Sequence, residues 1–207
     1  MAGQRTRLLN PPELLRWNTD KRYLQELEQA CVSCVPTLFV DSGSPEVAPD
    51  LAWEKLVIKP AIVASARGTR CFSKTEFETA GRAYLRQLTS AGTALVQPYM
   101  QGVDVKRERA LVFVDGRFSH AFSKPAFSVN AIGSTTIQSH PPTSAELAVA
   151  RHALAVAPSA TLYARVDLVP SEEGPQLMEL ELIEPDLALR LHPPAAAALA
   201  RGCRNAL

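Results

Sequence analysis

At 207 residues, with 46% hydrophobic and 21% charged residues, the chain has the composition of an ordinary globular protein, enough for one good-sized core or two smaller lobes. Lys and Arg number 22 against 21 Asp and Glu, so no global field argues for a nucleic-acid or membrane partner, and any anion binding must be local. No apolar run approaches the roughly 20 residues of a membrane span and the N-terminus lacks a signal-peptide core, so a cytoplasmic location is expected.

In chain order, NPPELLRWNTDKRYLQELEQ offers Asn18, Thr19 or Asp20 as the cap of a helix over Lys21–Gln29, followed by CVSCVPT and an extended piece. Cys31 and Cys34 form a CxxC, but neither a second ligand pair nor a redox setting accompanies it, and buried structural thiols are the reading. DSGSPEVAPD, residues 41–50, is a loop by composition. LVIKPAIV, from Leu56 to Val63, is a buried strand interrupted by Lys59 and Pro60, and ASARGTRCF turns tightly into another short strand. SKTEFETAGRAYLRQLTSAG carries Phe77, Tyr84 and Leu88 on one helical face and closes at Gly92. TALVQPYM is a strand ending at Pro98, and RALVFVDGRFSHAFSK is a hairpin around Asp115 and Gly116. Residues 125–140 read as a mobile loop, TSAELAVARHALAVAP as a well-capped helix, and the Ala-rich C-terminus as another. His120, His140, His152 and His192 show no helix-spaced pair, so no histidine metal site is expected.

The chemistry gathers in YARVDLV and MELELIEP, two apolar runs separated by SEEGPQ and read as a hairpin. Period-two alternation places Arg165 with Asp167, and Glu179 with Glu181, on single faces. A solvated face of an antiparallel sheet explains such acids as readily as a site does. If the strands pair, however, Asp167, Glu179 and Glu181 converge and repel one another unless cations join them, and all-oxygen ligands favour Mg²⁺ or Mn²⁺. Lys59 inside an apolar strand is costly unless it snorkels to water or an anion meets it. Beside it, ASARGT, with Ser65 and Gly68, would let backbone N–H groups approach a phosphate.

This order of parts resembles the ATP-grasp superfamily over nearly the whole chain, and NPPELLRWNTDKRYL, GRFSHAFSKPAF and MELELIEP place it nearest the carboxylate–amine ligases and ureido-serine cyclo-ligases. The resemblance implies an α+β ATP-grasp fold in which two α+β lobes hold ATP between them. It divides the chain into an N-terminal helix and linking segment (1–52), a lid lobe (53–104) and a metal and substrate lobe (105–207). It implies that Lys21 and Lys59 hold the α and β phosphates and that Ser65 and Gly68 belong to the phosphate loop. Gln97, Pro98, Tyr99 and Met100 form the adenine hinge, and Asp104 binds the ribose hydroxyls. Asp167, Glu179 and Glu181 hold Mg²⁺ or Mn²⁺, with Glu181 standing where most of the superfamily has Asn. Arg165 stabilises the transferring phosphoryl group, and Lys124 adds charge near the γ-phosphate or is an exposed strand-end lysine.

The activity so implied is an ATP-dependent ligase that phosphorylates a carboxylate or ureido group for attack by an amine, on a small amino-acid-like substrate. A non-catalytic ATP-binding module and a small-molecule kinase use the same nucleotide residues. The N-terminal α/β domain that usually precedes this fold is expected to be absent from this sequence: either the sequence is a fragment, or a separate chain or a homo-oligomer contact supplies the missing wall, or the substrate is handled by what remains.

Overall fold

The computed structural model describes residues 6–44, 52–63, 66–125 and 137–206. Ser65, positions 45–50 of the expected loop at 41–50, and positions 126–136 of the expected loop at 125–140 lie outside the described residues.

Two short helices open the described chain, α1 (Pro12–Thr19) and α2 (Tyr23–Gln29), where one helix starting at Lys21 was expected. Pro12 occupies the first helical position, where the missing N–H has no intrahelical partner to lose. Asn18 caps neither helix, because its side chain is committed to the strand that carries Glu179.

A four-stranded antiparallel sheet follows, ordered β1 (Leu38–Val40), β4 (Ala94–Pro98), β2 (Lys55–Pro60), β3 (Arg70–Ser73). One of its faces buries Leu56, Ile58, Phe72, Ala94 and Val96 against Phe77, Tyr84 and Leu85. The other presents Val57, Lys59, Cys71 and Gln97, as the period of two requires. The covering helix is broken where a continuous one was expected. A capped turn, α3 (Lys74–Glu76), leads through a π-turn at Phe77–Gly81 into α4 (Arg82–Thr89). A Cβ at Gly81 would come within 2.7 Å of the Phe77 ring, so glycine is what lets this wide turn close over the aromatic side chain.

After α5 (Gly102–Lys106) comes a five-stranded antiparallel sheet. Its order is β7 (Gln138–Ser139), β6 (Arg117–Lys124), β5 (Glu108–Val114), β8 (Tyr163–Ser171), β9 (Gly174–Glu181). The β5–β6 turn sits at Asp115 and Gly116, both with positive φ, as the DG pair predicts. One face of the sheet buries Leu111, Phe113, Val166, Leu168 and Leu180 in the largest core, with Leu14, Tyr23 and Leu27 from α1 and α2 and Ala150 and Ala153 from α6 (Ser144–Val156). Thr143 and Glu146 close the expected capping box at the start of α6. The opposite face is apolar only in part. Ala110, Val112, Val114 and Phe122 pack under Ala188 and α7 (Pro193–Asn205), and beyond them the same face turns polar. Among the described residues no helix is long and apolar enough to cross a membrane.

Candidate functional site

The polar part of that face follows from register. Cross-strand pairing sets Glu108 opposite Lys124, Ala110 opposite Asp167, Val112 opposite Arg165, Arg165 opposite Glu181 and Asp167 opposite Glu179. Residues paired directly across strands share a face, so three acids from two strands and the cations beside them are brought together. A bulge helps. Leu168 pairs with Leu177 and Asp167 with Glu179, leaving Met178 unpaired and its sulfur 4.0 Å from Lys59 Nζ.

A cavity of about 820 Å³ opens between this polar face and the polar side of the four-stranded sheet. Its walls include Lys21, Lys59, Lys124, Arg165, Glu179 and Glu181, together with the stretch Gln97, Pro98, Tyr99 and Met100. Three of the anticipated residues do not line it. Asp167 lies beneath its floor at 1% exposure. Gly68 keeps the positive φ its turn requires, but its carbonyl accepts a 2.5 Å hydrogen bond from the Tyr84 hydroxyl, and Ala66 and Thr69 form the wall there. Asp104 accepts from the Tyr99 hydroxyl at 2.6 Å and stands outside the lining.

The acid that does reach the cavity in that stretch is Glu108, which the sequence reading overlooked. Counting outward from the Asp115–Gly116 turn would set it against Ser123; the bulge between Val112 and Phe113 moves its partner to Lys124, and no local signal announced that shift. Glu184 lines the cavity as well, with Ile183 and Asp186.

Opposite charges are closely matched. Both Asp167 oxygens are engaged: Arg165 Nε donates to one at 2.9 Å, and Arg165 Nη2 and Lys124 Nζ donate to the other at 2.9 and 2.5 Å. Burial works to raise the Asp167 pKa, but the adjacent Lys124 and Arg165 charges bring it down to about 2. Lys124 also pairs with Glu108 at 2.8 Å, Lys21 with Glu179 at 3.1 Å, and Arg165 Nη2 with Glu181. Even so, burial and the neighbouring Asp167 charge push Glu181 up to about 7, because Arg165 is shared with Asp167. Burial likewise raises Glu108 against the pull of Lys124. Lys59, 7% exposed and with no carboxylate at ion-pair distance among the described residues, is lowered by burial. Among the described residues no group of three His, Cys, Asp or Glu is set to hold a metal ion, since protein cations stand between the acids.

The donor set nonetheless suits a hard divalent cation: Glu179 and Glu181 present carboxylate oxygens to the cavity and Asp167 lies directly behind them. A large concave site with buried lysines on one wall and acids on the other is fitted to a polyphosphate accompanied by such an ion.

No family model matches the chain. The cycloserine biosynthesis protein DcsG of Streptomyces lavendulae is 31% identical over an alignment covering 98% of this chain and 74% of that protein. The crystal structure of D-cycloserine synthetase DcsG superposes with a TM-score of 0.86 at 29% identity, covering 97% of this chain and 74% of that one. The D-alanine–D-alanine ligase of Bacillus anthracis, solved with ATP, gives 0.68 at 14% identity over 93% of this chain and 66% of its own. The ATP-grasp ligase PsnB, solved with precursor, Mg and ADP, gives 0.67 at 16% identity over 97% and 63%. At these last identities the likeness is one of fold. Taken with the DcsG match, it shows that the chain belongs to the ATP-grasp superfamily and is a ligase of that family.

Proposed function

We propose that the chain uses ATP to activate a carboxyl or ureido group of a small amino-acid-like substrate for attack by an amine, joining two molecules or closing a ring. The observation that carries this reading is the single cavity in which Lys21, Lys59, Lys124 and Arg165 meet Glu108, Glu179 and Glu181 between two sheets. The adenine takes the end lined by Val57, Cys71, Tyr99, Met100 and Met178, and Glu108 rather than Asp104 takes the ribose hydroxyls. Lys21 and Lys59 reach the α and β phosphates, beside the turn that carries Ala66 and Thr69. Residues 53–104 then act as the lid lobe and 105–207 as the lobe for metal and substrate.

Glu179, Glu181 and Asp167 would hold Mg²⁺, which neutralises phosphate oxygens when bound. Arg165 and Lys124 face the position of the γ-phosphoryl group and spread its developing charge. The bond from the γ-phosphorus to the bridging oxygen breaks as one forms to the substrate's oxygen. The amine then adds at the activated carbon and phosphate departs with that oxygen, so no nucleophilic side chain is needed. Ile183, on the wall beside Glu181 and Glu184, limits the access of water to the reacting end. A cytoplasmic location belongs to the same reading and is supported by the four free cysteines.

The test is ATP-dependent phosphate release across a panel of amino acids and O-substituted or ureido derivatives, with the product mass read in parallel. A new C–N bond and one phosphate per ATP is the expected result. A phosphorylated product without condensation would make the protein a kinase, and ATP binding without turnover on any substrate would make it a binding module.

A further inference from the structure

Among the described residues, strand β9 is an edge strand, with β8 on one side and no strand on the other. Its outward backbone groups at Leu177 and Leu180, and those of Leu182 just past its end, are nonetheless satisfied. At Leu177 the neighbouring main chain does this: Leu177 N–H donates to the Ser33 carbonyl at 2.7 Å and its carbonyl accepts from Val35 N–H at 2.9 Å. Further along, where the strand carries Glu179 and Glu181, side chains replace the missing strand. The Tyr23 hydroxyl accepts from Leu180 N–H at 2.9 Å and donates to the Leu180 carbonyl at 3.1 Å. The Asn18 amide donates to the same carbonyl at 2.7 Å, while its oxygen accepts from Leu182 N–H at 2.9 Å. Asn10 donates to the Leu182 carbonyl at 2.9 Å.

Asn10, Asn18 and Tyr23 are 0, 8 and 2% exposed. These bonds therefore form away from water, where an unmade one costs about 1–3 kcal/mol. Leu180, held from outside by Tyr23 and Asn18, is the residue between Glu179 and Glu181. Beyond the bulge at Met178, a slip by one residue would turn both carboxylates away from the cavity and Leu180 out of the core, and the bonds from Tyr23 and Asn18 oppose it. The same segment carries Lys21, whose Nζ reaches Glu179.

We propose that Asn18 and Tyr23 are positioning residues of the ligase: they act as a side-chain strand that locks Leu180 and so fixes the spacing of Glu179 and Glu181 for a divalent ion. This rests on the reading of those two acids as metal carboxylates. It assigns a function to two residues that make no contact of their own with the phosphates in that reading, and it explains why Asn18 forgoes capping a helix.

The experiment compares wild type with Tyr23→Phe and Asn18→Leu, each close in size to the residue replaced. Adenine nucleotide affinity is measured by calorimetry without divalent ion, which also counts the folded sites. Mn²⁺ affinity is then measured in the presence of ADP by electron paramagnetic resonance. Tenfold or greater loss of Mn²⁺ affinity with metal-free nucleotide affinity unchanged within twofold is expected for both variants, and the Mg²⁺ concentration for half-maximal turnover should rise in parallel. Retention of Mn²⁺ affinity, or an equal fall in both affinities, would overturn the proposal and leave the two residues structural. Should Tyr23→Phe fail to fold, Asn18→Leu decides, since Leu180 then keeps both bonds to Tyr23. A wild type that binds no Mn²⁺ with ADP would instead overturn the metal reading of the site.

Discussion

Lys21 Nζ lies 3.1 Å from Glu179 Oε1 and the same distance from the Val63 carbonyl, so one lysine ties the strand of acids to the segment just ahead of the proposed phosphate turn. If Glu179 and its neighbour serve phosphoryl transfer, Glu179→Gln and Glu181→Gln should each lower turnover by about a hundredfold, about 2.7 kcal/mol in barrier, with the fold retained. Glu173→Gln, at the exposed tip of the same hairpin, is the control and should change stability by no more than about 0.5 kcal/mol. Steady-state kinetics at varied Mg²⁺ checks this. Equal small effects at all three positions would return Glu179 and Glu181 to a solvated face.

Stability should respond to pH through Glu181 and Asp167 in opposite directions. With Glu181 held up to about 7 in the fold and near 4.3 when unfolded, protonation favours the folded state. Its contribution is greatest below the unfolded value, falls as pH rises toward 7 and is level above. Asp167, at about 2, contributes stability that is full above pH 4 and lost toward pH 2. Glu181→Gln, which mimics the protonated acid, should therefore raise the melting temperature of the ligand-free protein at pH 8 by a few degrees and change it little at pH 5. No difference between the two pH values would contradict this assignment.

Lys59 is buried and among the described residues pairs with no carboxylate, the Met178 sulfur at 4.0 Å being its nearest polar partner there. Removing an uncompensated buried charge should relieve the fold, so Lys59→Met is expected to melt at or above the wild-type temperature. The same variant should bind ATP at least tenfold more weakly, a loss of about 1.4 kcal/mol. Melting curves with and without ATP separate the two effects; a destabilised variant would mean that the lysine serves the core.

The two acids on either side of the proposed lobe boundary divide cleanly. Asp104→Asn, which keeps an acceptor for the Tyr99 hydroxyl, should leave ATP affinity within twofold of wild type. Glu108→Gln should cost about tenfold, since hydrogen bonds to a charged group contribute roughly 1.5–3 kcal/mol. Calorimetric titration with ATP and 2′,3′-dideoxy-ATP locates the loss at the ribose hydroxyls, because only the first carries them.

What the sequence made legible was whatever local chemistry dictates. Alternation placed Glu179 and Glu181 on one face, the Asp115–Gly116 pair set the β5–β6 turn, and Thr143 with Glu146 announced α6. What it concealed depends on distant partners. Asn18 looked like a helix cap because its role is to bond Leu180 and Leu182, more than 160 residues away. The π-turn at Phe77–Gly81 answers to the Phe77 ring and not to any periodicity. Asp104 and Glu108 differ by four positions, and only the strand that begins at Glu108 decides which acid meets the cavity.

The matching of acids and bases across the cavity has a consequence for traffic through it. If the cavity takes ATP as proposed, its pairs of Lys21 with Glu179, Lys124 with Glu108 and Asp167, and Arg165 with Asp167 and Glu181 make it an ion exchanger: an incoming polyphosphate displaces carboxylates from the cations, and the freed carboxylates take up the counter-ion that travels with it. Either ligand alone must break intrachain pairs without replacing them, so each strengthens the other's binding by the same factor. The exchange also runs backwards. As ADP and phosphate leave separately, each carrying less charge than ATP, the chain's own carboxylates reclaim Lys21 and Lys124, and departure is favoured by pairs that the protein already holds.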